Sequence, residues 1–476
     1  MDSSTSGAAV AGPTSSRRVS YGPVLEDEPP RLRFTVGQFP SRFPLADAPG
    51  FISSIGAALA RHADAQVESL EISLVFRAPH QHYVASLGTY ATEHPHAALV
   101  TADHVRAWLR YGMARAAGSF VLEVPPRPRP TIEGCASGAA AEAEAEKNGM
   151  ALELPRSAAA ATVALTLGNA TLALPAPADA SFHALAELLL SNARISDKHR
   201  LSGLLSSQSF PRLKRLRLEH LAGVGELDLC VGDLEELAIV GVRDLWCLQV
   251  NAPRLRTLRV TECFRLESSA GELAIAAPAL EALTCSSMCR MQGLQFDGGP
   301  SVREIGGLPL WTHGHANHAA RNEAAISILK QCTAARRLNL DLHVPSYMRE
   351  ALVDATGSGM ADCESILKDD IPQLLNITAL TVNISTWKGH SYAASLARLI
   401  AQCSNLEDLH IEVRRGTEKP ACLDRACVCH NEDGWENQQL SLERLVRLDI
   451  AGFQGLDYEE CLAQMILAGA PALKRE

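Results

Sequence analysis

The chain has 476 residues, 47% hydrophobic and 21% charged, with a formal net charge of −10 and a pI near 5.9. That supplies a large core, although one compact globule of this size would normally divide into domains. The acidic balance argues against nucleic acid as principal partner. With no run of about 18 apolar residues and no apolar core in MDSSTSGAAVAGPTSSRR, no membrane association is expected and a cytoplasmic or nuclear location is.

Residues 1–30, rich in Ser, Gly and Pro, read as a disordered tail, because such a composition cannot offset the entropy of ordering. From Pro49 a helix is expected, with Phe51, Ile52, Ile55 and Leu59 on one face. It leads into the strand VESLEISLVF, where Val67, Leu70 and Ile72 form a loose apolar register. A second helix begins at the caps Thr101 and Asp103 and gathers Val105, Trp108, Leu109 and Met113. The strand Phe120–Val124 follows, with Val121 and Val124 read as its inward pair. Residues 125–150 break every apolar period and read as a low-complexity insertion, with Glu142, Glu144 and Glu146 solvated. Leu165 and Leu167 continue the loose register, and SFHALAELLLSNARI after Asp179 reads as a helix.

Beyond this point Leu-x-x-Leu-x-Leu recurs at Leu213/Leu216/Leu218, Leu234/Leu237/Ile239 and Leu255/Leu258/Val260, each 21 residues after the last, and Cys263 completes the last motif. That period is the signature of leucine-rich repeats. Further registers follow at Leu280/Leu283/Cys285, Val302/Ile305, Leu338/Leu340, Ile377/Leu380/Val382, Leu406/Leu409/Ile411 and Leu445/Leu448/Ile450. Helices are expected over Ala324–Gln331 and SYAASLARLIAQC, with NLEDLHIEV a strand. The expected fold is an α/β leucine-rich-repeat solenoid, a curved array of short parallel strands with helices on the convex side. Residues 31–415 would form the array, and 416–476 a C-terminal region capping it.

Side chains alternate across a strand, so the residues flanking the fourth and sixth motif positions face outward. This places Arg215, Arg217, Glu236, Thr257, Arg259, Arg337, Asn339, Asp408, His410, Arg447 and Asp449 on the concave surface, where curved repeat proteins hold protein partners. Taken singly, each reads more readily as an ordinary solvated strand residue. Arg215, Arg217 and Arg259 would make a basic strip for acidic or phosphorylated targets, interrupted by Glu236.

Cys422, Cys427, Cys429 and His430 are the densest group of metal-binding residue types, but Cys-x-Cys-His crowds its donors more than structural zinc sites do. Thiols packed against the last repeats are the plainer reading. The 13 cysteines fall largely at apolar repeat positions, such as Cys230, Cys263, Cys285 and Cys403, and read as reduced packing residues. His313, His315 and His318 read as a polar connection, since no carboxylate or thiol in their segment would support a metal. No Gly-x-Ser-x-Gly elbow, phosphate-binding Gly-rich loop or His-Glu-x-x-His element occurs. Neither catalysis nor a cofactor is therefore expected.

Several stretches resemble the plant F-box/leucine-rich-repeat family in its branch ending in the FBD region. They include LRFTVGQFP, VRAWLRYGMARAAGSFVLEV, ALTLGNATLALP, SFPRLKRLRLEHLAGVGELDLC with the repeats after it, and CVCHNEDGW with LVRLDIAGFQGLDYEECLAQMILAGAPALKRE. The resemblance implies a protein target, and an F-box that docks a Skp-type adaptor and cullin. Family members open with a Leu-Pro start and three helices; the first thirty residues here share at most the Ser-Arg-Arg of Ser16, Arg17 and Arg18. Adaptor and cullin binding is thus expected only if an F-box is present or supplied upstream. The rival readings are a repeat scaffold that recruits no ligase, and a metal-binding or hydrolytic protein using Cys422–His430.

Overall fold

A strand with apolar side chains at alternate positions buries them, and satisfies its backbone, only when neighbours flank it. The computed structural model describes residues 30–37, 45–76, 82–84, 89–91, 95–126, 150–197, 199–242, 244–264, 271–286, 291–314, 316–344, 364–365, 371–386, 391–415 and 434–473. Their main feature is a 15-stranded parallel sheet running from Arg31–Thr35 to Arg447–Ala451, strand after strand in chain order apart from the short side strand Ala151–Glu153. The solenoid stands as the sequence predicts. The expected tail and most of the 125–150 insertion lie outside the described residues.

One row of register partners runs through the whole sheet: Leu70, Phe120, Val163, Leu188, Leu216, Leu237, Leu258, Leu283, Ile305, Leu338, Leu380, Leu409 and Leu448. All but Leu188 and Leu448, which are half-buried, are buried in one continuous core. The row corrects two expectations. In Ala116–Val124 the inward residues are Phe120, Leu122 and Val124, with Val121 turned toward the concave side. SFHALAELLLSNARI is not a helix, since Glu187–Ile195 is a strand. Leu185, Leu188 and Leu190 are a further Leu-x-x-Leu-x-Leu motif, with Leu188 paired to Leu216 and Leu190 to Leu218. Ala, Leu and Glu give that segment good helix propensity, but open strand edges on both sides outweigh it.

Helices form where the spacing allows. Ala48–Arg61 and Ala102–Arg115 bury the faces read from the sequence, and Thr101 caps the second by accepting from the His104 backbone N–H at 3.3 Å. Ala316–Gln331 starts a full two turns before the expected Ala324, and Ala393–Ala401 and Asp457–Gly469 follow.

Between residues 222 and 297 the convex layer differs from the helices expected there. Glu226–Cys230, Cys247–Asn251, Gly271–Ala276 and Met291–Asp297 form a second parallel sheet, each strand lying between two strands of the main sheet in the chain. Leu227, Leu248 and Leu273 are register partners, as are Leu229, Val250 and Ile275, and all six are buried. Four successive main strands, from Glu187–Ile195 to Thr257–Thr261, carry a residue in the left-handed region within or just after them, at aligned positions: Asn192 (φ 52°), His220 (51°), Gly241 (67°) and Glu262 (54°). Asn and Gly tolerate that conformation, and His and Glu hold it at a cost.

Candidate protein-binding surface

The outward residues of the main sheet form columns across the strands. All eleven predicted concave residues lie in these columns, exposed or half-buried. Their neighbours decide the electrostatics. Arg215 lies between its register partners Glu187 and Glu236, with N–O distances of 2.7 and 3.7 Å. Arg217 lies 2.6 Å from Glu219. Between Arg217 and Arg259 the same column holds Ala238, and beyond Arg259 it holds Thr284. The three arginines therefore do not form one open basic strip, since two are already matched by carboxylates. Arg259 has no ion pair among the described residues, and Thr257 precedes it in the adjacent column.

Toward the C-terminus the strands lengthen from five residues to eight, in Glu304–Trp311, Arg337–Val344, Ala379–Thr386 and Asp408–Arg415. Arg337 lies 3.8 Å from Glu304. Asn383 donates to Asn339 at 3.1 Å and to Asp341 at 2.9 Å. Arg447 forks onto Asp408, with Nη2–Oδ2 at 2.6 Å, and holds that carboxyl below its ordinary pKa. His410 Nδ1 lies 2.9 Å from Asp449 Oδ2. The ion pairs are largely exposed and each worth little for stability, but with the half-buried Asn383 bonds they orient a largely polar face.

The longer strands add a row that sequence reasoning missed. Trp311, His343, Ser385 and Arg414 are successive register partners on four neighbouring strands. Trp311 stacks on His343 with centroids 5.0 Å apart, and the Arg321 guanidinium lies 5.1 Å from the Trp311 ring centre. The buried Asn322 amide fixes the Trp311 backbone, accepting from its N–H and donating to its carbonyl, both at 2.9 Å. Burial pushes the His343 imidazole below its ordinary pKa, so it is neutral at pH 7. A register shift after Ile305, with Gly307 at φ 63°, brings Trp311 into this row. The Gly306–Gly307 pair and the unbroken alternation of RLNLDLHV were the signals in the sequence.

A second missed cluster joins the C-terminal segment to the array. Glu459, fully buried, accepts from the Tyr392 hydroxyl at 2.7 Å and from Arg415, and its other oxygen accepts from the N–H groups of Gln454 and Leu456 at 2.8 and 3.2 Å. Burial and the Glu459 carboxylate push the Tyr392 phenol far above its ordinary pKa. A carboxylate satisfied by four donors is a structural tie. Burial also raises the thiols of Cys263 to about 11 and of Cys332 and Cys403 to about 12, in keeping with a packing role. Cys230, by contrast, is exposed on the convex sheet.

Cys422, Cys427, Cys429, His430 and His315 lie outside the described residues, and of His313 and His318 only the backbone is described. Among the described residues no group of three or more His, Cys, Asp or Glu could hold a metal ion. Nor is any described helix long and apolar enough to cross a membrane.

Comparison with known proteins bears on residues 146–299, which match the family model of the leucine-rich repeats of the FBD-associated F-box protein At5g56370. The matched span includes the two-sheet region and the repeat at Leu185. The putative F-box/FBD/LRR-repeat protein At4g03220 of Arabidopsis thaliana is 25% identical over 305 residues, 62% of this chain. The chain spans 58% of that relative's length. With a repeat register that holds through the main sheet and a family match over residues 146–299, the chain is similar to plant FBD-associated F-box/leucine-rich-repeat proteins.

Proposed function

We propose that this protein is a non-enzymatic receptor that holds a protein target on its concave face, as the substrate-recognition part of an SCF-type ubiquitin ligase does. The observation that carries this reading is the largely polar band of side chains from Arg215 to Asp449, broken only by small residues such as Ala238, Ala282, Gly306 and Ala379, with a Trp311–His343–Arg414 row beside it. Trp and Arg dominate the energetics of protein interfaces when partly desolvated. Paired side chains held in place also lose less freedom on binding. The polar columns vary in charge from strand to strand, so selectivity comes from the order of charges along the array and not from one strong field. In this reading the chemistry belongs to other subunits, and the protein contributes only position.

Two experiments test the reading. A photo-crosslinking residue at Arg259 or Asp449 is expected to capture a defined protein from plant extract, whereas one at Asp228, on the convex sheet, captures none of it. Equal capture from both faces would overturn the concave assignment. Purified chain is then titrated with a plant Skp-type adaptor. Stoichiometric binding supports the ligase role, and no binding reduces the protein to a repeat scaffold for its target.

A further inference from the structure

The two ends of the main sheet are closed differently. At the first edge, Leu32, Phe34 and Val36 are 5%, 4% and 3% exposed and belong to the common core. At the last, Leu448 and Ile450 are only half-buried, although their partners Leu409 and Ile411 are 2% and 0% exposed. Val446, the residue before this strand, is 51% exposed, and Leu467 of the following helix is 53% exposed. Among the described residues no strand pairs with the outer edge of Arg447–Ala451. A repeat array ends stably only when its last apolar row is covered, and an uncovered strand edge is a template for another strand.

The charge pattern of this edge selects the strand that fits it. Its concave-side residues are Arg447 and Asp449, its core-side row is Leu448 and Ile450, and the exposed Val446 stands just before the strand. We propose that the edge pairs with the same edge of a second copy of this chain, antiparallel, about a two-fold axis through Leu448. In that register each Arg447 faces an Asp449 of the second copy, each Val446 faces an Ile450, and Leu448 meets Leu448. Centring the axis on Asp449 would set Asp449 against itself, and centring it on Arg447 would set Arg447 against itself. Like charges directly opposite are destabilising. Two identical edges related by a two-fold axis must use the same patch twice, and the alternation here is self-complementary in one register. Arg447 and Asp449 already pair within the chain with Asp408 and His410. A second partner for each follows the pattern of Arg215, which lies between two carboxylates. A five-residue strand pair is a small interface, so the dimer is weak, with a Kd on the order of micromolar.

Analytical ultracentrifugation of the full chain through the micromolar range is expected to show concentration-dependent dimerisation. Val446→Lys, at an already exposed position, is expected to weaken dimerisation by at least about tenfold without changing the melting temperature. Asp449→Lys and Arg447→Glu are each expected to be monomeric alone, and an equimolar mixture to form a heterodimer, because the lysine then faces the glutamate and the unchanged arginine faces the unchanged aspartate. A wild-type chain monomeric at every concentration overturns the proposal. So does a dimer that survives Val446→Lys, or two charge variants that do not recover association when mixed. The sedimentation readout uses no target, so its failure is distinguishable from failure of the proposed function.

Discussion

The middle of the array and its flanks use the same inward motif and cover it differently. From Leu216 to Ile305 the repeats are 21, 21, 25 and 22 residues long, and a second strand covers each on the convex side. From Ile305 to Leu338 and from Leu380 to Leu409 they are 33 and 29 residues long, and a helix lies in each. Geometry accounts for the difference. A five-residue strand advances about 17 Å, and returning that distance as a helix takes about 11 residues, which with two turns exceeds 21. A short repeat has room only for a strand coming back. Repeat length, more than local propensity, thus decides what the convex surface is made of.

That comparison can be broken or sharpened by mutation. The largest effect is expected from Leu248→Ala, on the inner side of a convex strand, which should lower unfolding free energy by about 2–5 kcal/mol in urea titration. A loss under about 1 kcal/mol would mean the convex strands are not part of the core. Next come two left-handed glycines. Gly241→Ala, in the middle, meets both φ +67° and the His220 ring where its Cβ would lie, and should cost about 2–3 kcal/mol in the same titration. Gly455→Ala, in the C-terminal flank, meets φ +74° but no close neighbour, and should cost about 1 kcal/mol. Equal costs would show that the turns of short repeats are no tighter than those of long ones. Glu262→Gly relieves a left-handed residue and should raise stability by about 0.5 kcal/mol after the added unfolded-state entropy. The smallest effect concerns pH. The pKa of Asp408 is depressed in the folded state by Arg447, so its contribution is present above the ordinary aspartate value and is lost as pH falls through about 4 and below. Asp408→Asn should flatten that part of the stability–pH curve, and an unchanged curve would remove the pair from the account.

Much of the scaffold was legible in the residues. The repeats at Leu213, Leu234 and Leu255 announce themselves by spacing, and the helix faces at Ile52/Ile55 and Val105/Trp108 by period. Leu185/Leu188/Leu190 was equally regular and was missed because its composition favours a helix. The concave positions followed from alternation, but which of them are already paired did not. Arg215 is matched by Glu187, whose strand had been read as a helix, and Trp311 reaches the concave face only through the irregularity at Gly306–Gly307.

The sequence by itself determined the solenoid and, over the regular repeats from Leu213 onward, its inward row and outward columns, because strand alternation and a repeating period are local properties of the chain. The tertiary structure alone decided the second sheet, the buried tie of Tyr392, Arg415 and Glu459 across 67 residues, and the half-open row at Leu448 and Ile450. Each of these depends on which strands and helices lie side by side, and burial, charge pairing and edge exposure are properties of neighbours in space.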